Sequence, residues 1–205
     1  MLIVAGRGFG TGLIETTAGC LTMLDRMRRV GMRVTNIADI GTGTGLLAFA
    51  ALHLWPRATA IASDIDPVAV EISSQNAIAN GVPVGAGSGQ LALVTAAGAA
   101  HIAIIGRAPY DLLIANILAG PLIELAPSLC AVVADGGTII LAGLLNEQAD
   151  AVIAAYRAQG MRLPEPSDRG HCPTLRLRKR PRIGWKRPQR LNPAARGEAP
   201  GFGSL

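Results

Sequence analysis

Aromatic residues are scarce in this sequence, with three Phe, two Tyr and two Trp among 205 positions, and cysteine occurs only three times. Cys20, Cys130 and Cys172 lie far apart, without the paired spacings of a zinc site or a disulfide framework. A reducing cytoplasm and no bound metal are therefore expected. No apolar run approaches the roughly 18 residues of a membrane span, because Asp, Arg, Pro or Gly interrupts each candidate. The opening MLIVAGRGFGTG has no basic n-region, which argues against a secretory signal. A soluble protein without a membrane association is the expectation. Lysine is absent from residues 1–174, which hold ten Arg against thirteen acids, a net charge of −3. Residues 175–205 hold nine basic residues against Glu198 alone, a net of +8. The overall charge of +5 thus belongs to the tail and says nothing about the body.

What is present is enough apolar sequence, half of all residues, for one sizeable α/β domain. Short runs rich in Ile, Val and Leu at 34–40, 59–64, 91–95, 111–116 and 138–142 read as strands. Helical patterns at 15–30, 44–54, 67–80, 120–134 and 146–159 separate them, two of these stopping at Gly81 and Gly160. Such alternation predicts right-handed crossovers and a doubly wound, mostly parallel sheet. The Gly, Ala and Ser-rich stretch 85–100 breaks the rhythm and reads largely as loop. The expected organisation is a folded domain over 1–178 and a basic, disordered tail over 179–205. In the basic stretch 175–205 Arg178, Lys179, Arg180 and Arg182 could neutralise RNA phosphates, with Trp185 as a stacking face. The alternative is a solvated extension with no specific partner.

In doubly wound sheets ligands sit beyond the carboxyl ends of the strands, beside the first strand. The segment ADIGTGTGLL at 38–47 falls there. Its glycines, Gly41, Gly43 and Gly45, do not fit a dinucleotide fingerprint, because Leu46 occupies the sixth place. No lysine follows them, so a phosphate-gripping P-loop is excluded. Asp39, two residues before Gly41, would oppose a pyrophosphate and favour a ligand with cationic groups. S-adenosylmethionine, which has an ammonium and a sulfonium but no phosphate, is such a ligand. Asp64, at the end of the next strand, is placed to accept hydrogen bonds from ribose hydroxyls. Asp66 precedes Pro67 and reads as a helix N-cap. Asn116 ends the strand YDLLIAN, where its carbonyl oxygen could accept a hydrogen bond from an incoming amine; it could equally turn the chain into the next helix. His53 and His101 are not expected to act as bases.

Four segments taken together, GFGTGLIETT at 8–17, DIGTGTGLLAFAAL at 39–52, SDIDPVAV at 63–70 and ANILAGPLIELAP at 115–127, closely resemble the bacterial PrmA-type methyltransferases that modify large-subunit ribosomal protein eleven. The resemblance covers residues 8–178, and ANILAGPL is its most specific part. It implies a class I S-adenosylmethionine-dependent fold and methyl transfer to lysine and N-terminal amines of a ribosomal protein. It also implies that Thr11, Thr16 and Thr17 lie over the methionine end of the cofactor and that Phe9 helps to cover it. Helix capping is the other reading of Thr16 and Thr17, and core packing that of Phe9. Two departures stand out: Ile14 occupies a position where the family usually has His, and the family's substrate-recruiting N-terminal domain does not precede the GFGTG loop. Two other functions stay open, an N-methyltransferase acting on another amine or on RNA, and a non-catalytic cofactor-binding remnant.

Overall fold

The computed structural model describes residues 11–163 and 173–180, with the side chains of 11–14 left undescribed. Its elements are α1 (Thr11–Arg29), β1 (Asn36–Ile40), α2 (Leu46–Leu54), β2 (Thr59–Asp64), α3 (Pro67–Ala79), β3 (Leu91–Thr95), α4 (Ile102–Ile105), β4 (Tyr110–Asn116), α5 (Ala119–Ala131), β5 (Val133–Ala142), α6 (Ala149–Ala158), β6 (Met161–Arg162) and β7 (Leu175–Lys179). One 3₁₀ turn, Asn146–Gln148, leads into α6.

The seven strands form one sheet in the order β3-β2-β1-β4-β5-β7-β6. The first five are parallel, as the alternation of apolar runs and helical patterns predicts. The sheet departs from that rule at β7, which runs antiparallel between β5 and β6. The central strands are buried on both faces, so their sequences read as continuous apolar runs. Two apolar layers cover them. One contains Leu122, Leu129, Val152 and Tyr156 of α5 and α6 against Ile40, Leu113 and Ile139. The other holds Leu24 and Met27 of α1 and Phe49 and Leu52 of α2 against Ile37, Leu112 and Ile140.

The differences from the sequence expectation have local causes. The expected helix 120–134 stops at Ala131, and β5 starts at Val133, five residues earlier than the apolar run. Gly136 and Gly137 interrupt the strand pattern there, and the ladder with β4 changes register between Tyr110 and Leu112. α4 and β6 are four and two residues long, too short to leave a periodicity. Within 85–100 the strand β3 is present, and Gln90 closes the turn before it by accepting the Gly87 N–H at 2.8 Å.

The strand TLRLR extends to Lys179. Arg178 and Lys179, which the sequence offered as phosphate partners, are engaged within the fold. The Arg178 Nε donates to the Gly136 carbonyl at 3.0 Å, and the Lys179 Nζ donates to the carbonyls of Cys130 and Val133 at 2.9 and 2.7 Å. Arg180 is exposed, and Arg182 and Trp185 lie outside the described residues.

Candidate functional site

The carboxyl ends of β1, β2 and β4 open onto a cavity of about 780 Å³. Its wall includes Thr16 of α1, Gly41 of the glycine turn, Asp64, Asn116, and Glu124 of α5, with Gly143 to Leu145 closing the side beyond β5. The wall is otherwise mostly apolar, and among the described residues neither Lys nor Arg lines it.

The glycine turn is built on β2. The N–H groups of Gly41 and Thr42 both donate to the Ser63 carbonyl, at 2.8 and 2.9 Å. Gly41 and Gly45 have φ of +75° and +85°, a region that residues with a Cβ rarely adopt. A Cβ on Gly41 would strike Ile117 and one on Gly45 the ring of Phe49, so both positions need hydrogen for space as well as for conformation. Gly43 also has positive φ, and a Cβ there would meet open space. The turn is then clamped by α3. Ser73 donates its hydroxyl to the Gly43 carbonyl at 2.8 Å, and the Asn76 Nδ2 donates to the Thr44 carbonyl at 2.9 Å.

Asp39 does not line the cavity. It is 1% exposed and lies beneath the turn, where its Oδ2 accepts from the Thr42 hydroxyl at 2.7 Å and from the Ala48 N–H at 3.2 Å. The second of these satisfies an otherwise unpaired amide in the first turn of α2. Its Oδ1 has no partner among the described residues. Burial pushes the Asp39 carboxyl up to about 6, against the opposing pull of those two hydrogen bonds, and the neighbouring Asp64 charge adds to the rise. The carboxylate expected at the mouth of the site therefore acts from behind it.

Asp64 is where the spacing placed it, on the cavity wall at the end of β2. Its two oxygens accept one backbone N–H each, from Asp66 at 3.1 Å and from Gly43 at 2.9 Å. Each oxygen keeps a lone pair for a further donor. Asp66 accepts from the Val68 N–H at 2.8 Å with Pro67 in the first helical turn, the capping role read from sequence.

Asn116 ends β4 on the same wall. Its Nδ2 donates to the Thr17 Oγ1 at 3.3 Å, which orients the amide. Its Oδ1 is buried and has no partner among the described residues. A buried amide oxygen left without a donor is costly, which makes this oxygen a candidate acceptor for a group entering the cavity. The helix after it begins at Ala119, and neither a turn nor a cap uses the Asn116 side chain.

Thr16, 3% exposed, lines the cavity, whereas Thr11 opens α1 and Phe9 lies outside the described residues. Ile14 lies in the first turn of α1. His53 is exposed, and the His101 Nδ1 accepts the Ala103 N–H at 3.2 Å as the cap of α4. No group of His, Cys, Asp or Glu among the described residues is arranged to hold a metal. Sequence reasoning passed over Glu124, Ile65, the Ala96–Ala97–Gly98 strip and the 143–145 segment, all on the wall. Glu124 lies on α5 three residues past Pro121, another wall residue, and that helical spacing is the only sequence trace of it.

This strand order, with its antiparallel β7 and a cavity above β1, β2 and β4, defines the Rossmann-like methyltransferase fold. Among solved structures, the ribosomal protein L11 methylase of Lactobacillus delbrueckii subsp. bulgaricus superposes with a TM-score of 0.67 at 27% identity, over 80% of this chain and 79% of that one. A precorrin-6y C5,15-methyltransferase from Geobacter metallireducens shares the fold at a TM-score of 0.64 and 14% identity, over 87% of this chain and 94% of that one. The family model for ribosomal protein L11 methyltransferase (PrmA) matches residues 2–180, and the chain belongs to that family. Relatives named ribosomal protein L11 methyltransferase are 46% identical in Brucella suis and 48% identical in Sinorhizobium fredii. Both matches cover 78% of this chain and 53% of the relative, so the chain spans about half the length of the curated relatives it matches.

Proposed function

We propose that this chain binds S-adenosylmethionine in the cavity above β1, β2 and β4 and transfers its methyl group to amines of ribosomal protein L11. The observation that carries the reading is Asn116, held by Thr17 with its carbonyl oxygen buried in the cavity wall and unpartnered among the described residues. Membership of the L11 methyltransferase family supports the choice of L11 as substrate.

The residues present fit the cofactor. Among the described residues the wall carries two carboxylates, Asp64 and Glu124, and no cation, which suits a ligand bearing positive charge better than a phosphate. Behind the glycine turn the unpartnered Asp39 Oδ1 adds a third acidic group. Asp64 would accept the ribose hydroxyls with the lone pairs left free by Gly43 and Asp66. Ile65 and the small residues Ala96, Ala97 and Gly98 offer an apolar surface for a planar ring. When bound, S-adenosylmethionine supplies an activated methyl group on a sulfonium.

The protein's contribution is positioning. Asn116 accepts a hydrogen bond from the amine N–H at Oδ1, which points the nitrogen lone pair away from the amide and fixes the direction of attack. A neutral amine is required for this: Glu124 provides a carboxylate on the same wall to draw in the ammonium, which gives its proton to solvent before attack, and the methylated product leaves as a cation. The apolar remainder, Ile117 and Leu125 among it, reduces competition from water for the Asn116 acceptor.

Calorimetric titration of S-adenosylmethionine, followed by label transfer to L11 with RNA and polyamines as competing acceptors, tests this reading. Micromolar binding that weakens about 10- to 100-fold in Asp64→Ala, the loss of hydrogen bonds to a charged group, is expected, with label on L11 alone. Label on RNA or polyamine instead would reassign the substrate. Binding without transfer to any acceptor would leave a cofactor-binding protein.

A further inference from the structure

The arginines of the described fold gather at the end of the sheet opposite the cavity. Topology places them there. The connection from α1 to β1 lies at the amino end of the parallel strands, and β7 runs back from Leu175 beside Leu141 to Arg178 beside Thr138. A contact of 3.7 Å from the Arg176 guanidinium to the Met32 sulfur joins these two segments. Arg33 follows Met32, Arg28 and Arg29 lie in the last turn of α1, and Arg180 follows β7. Arg162 of β6 stands directly opposite Arg178 in the ladder.

The helix dipole favours cations in the last turn of α1, which accounts for Arg28 and Arg29. It does not account for Arg33, Arg162, Arg178 and Arg180, which lie on strands and connections. Two like charges directly opposite in a ladder destabilise the sheet, and both Arg162 and Arg178 are exposed. The carboxylates nearby are largely occupied. Asp25 pairs with Arg29 at 2.7 Å, and the Asp111 Oδ2 accepts the Thr35 and Asn36 N–H groups and the Thr35 hydroxyl. Asp135 is exposed next to the Gly136 turn. Hydrogen bonds from Arg178 and Lys179 to main-chain carbonyls fix β7, so the neighbouring guanidiniums are held on a firm edge.

We infer that this basic end is a binding site for the phosphate backbone of RNA. A planar guanidinium pairs with a phosphate through two parallel hydrogen bonds, and this patch is made almost wholly of Arg. Guanidiniums spread from Arg33 to Arg162 and Arg180 along one end of the sheet suit an extended polyanion better than a compact acidic surface. The site goes beyond the methyl-transfer reading. It lies at the far ends of the same strands, so RNA and S-adenosylmethionine bind independently.

The test is fluorescence anisotropy of the full chain with a labelled single-stranded RNA at several salt concentrations. The comparison is the triple variant Arg33→Gln, Arg162→Gln, Arg180→Gln, whose folding is checked by circular dichroism. Wild-type binding should weaken with salt. The variant should bind about 10-fold more weakly at 0.1 M salt, with a log–log slope lower by about 2, since each single-strand phosphate contact contributes roughly 0.7. Saturating S-adenosylmethionine should leave both affinities unchanged. Absence of RNA binding at low salt, or a folded variant with unaltered affinity and slope, would overturn the proposal. So would equal or tighter binding of polyglutamate, which points to an acidic protein, or of phosphatidylserine vesicles, which points to a lipid surface.

Discussion

At the residue scale, three side chains divide the work of the cavity between them. Asp64 faces the cavity, Asp39 holds the turn from beneath, and Asn116 presents an acceptor at the end of β4. Asn116→Ala removes that acceptor together with the amide's hydrogen bond to Thr17. Turnover should fall on the order of 100-fold while S-adenosylmethionine affinity stays within about twofold, in line with losing one preorganised hydrogen bond at a reacting centre. Single-turnover label transfer beside calorimetry separates the two quantities, and equal losses in both would assign Asn116 to cofactor binding. Asp39 makes the site sensitive to pH. Its carboxyl is raised from 3.8 to about 6 in the folded protein, so the folded state binds this proton more tightly than the unfolded chain does. Its contribution to stability therefore rises as pH falls from about 6 towards 4, by at most about 3 kcal/mol. Affinity runs the other way. A protonated Asp39 no longer attracts a cation-bearing ligand, and binding of S-adenosylmethionine should weaken as pH falls through 6. Titrations at pH 7.5 and 5.5, with Asp39→Asn as the variant lacking this dependence, check both signs.

At the scale of elements, the glycine turn is a junction between β1, β2 and α3 rather than a free loop. Asn76 is fully buried and donates to the turn at the Thr44 carbonyl. Asn76→Ala leaves that carbonyl without its donor, at a cost of about 1–3 kcal/mol, and lets the turn move. Urea unfolding should show the loss of stability, and cofactor affinity should drop with it. Asp66→Ala, which only uncaps α3, should cost about 1 kcal/mol and leave affinity nearly unchanged. This junction also shows what could be read in advance. The three glycines, the acid after 19 residues and the Asp-Pro cap were legible because turns and caps impose residue types at fixed spacings. The direction of Asp39 was not, since both faces of β1 are buried and alternation carries no signal there. Glu124 and the 143–145 segment were hidden for another reason. They reach the cavity only through packing of α5 and β5, which no local spacing encodes. The early start of β5 was masked by its paired glycines, and β6 by its length.

At the scale of the whole molecule, the sheet separates two chemistries. Carboxylates and open lone pairs collect where the strands end, and guanidiniums collect where they begin. β7 links these regions, because its apolar side, Leu175 and Leu177, is fully buried in the layer under α5 and α6 while Arg178 on its other side is exposed. Leu177→Ala should therefore cost about 2–4 kcal/mol, read as a lower denaturation midpoint. The slope of the urea transition should stay constant if the sheet still unfolds as one unit.

The strand order holds a consequence for biosynthesis. Leu175–Lys179 is translated after β5 and β6 yet is inserted between them. Until the ribosome releases it, β5 keeps a raw hydrogen-bonding margin and β6 has nothing to pair with. Final closure of the domain thus waits on almost its last residues, and a nascent chain stalled just upstream would offer that margin to other strands.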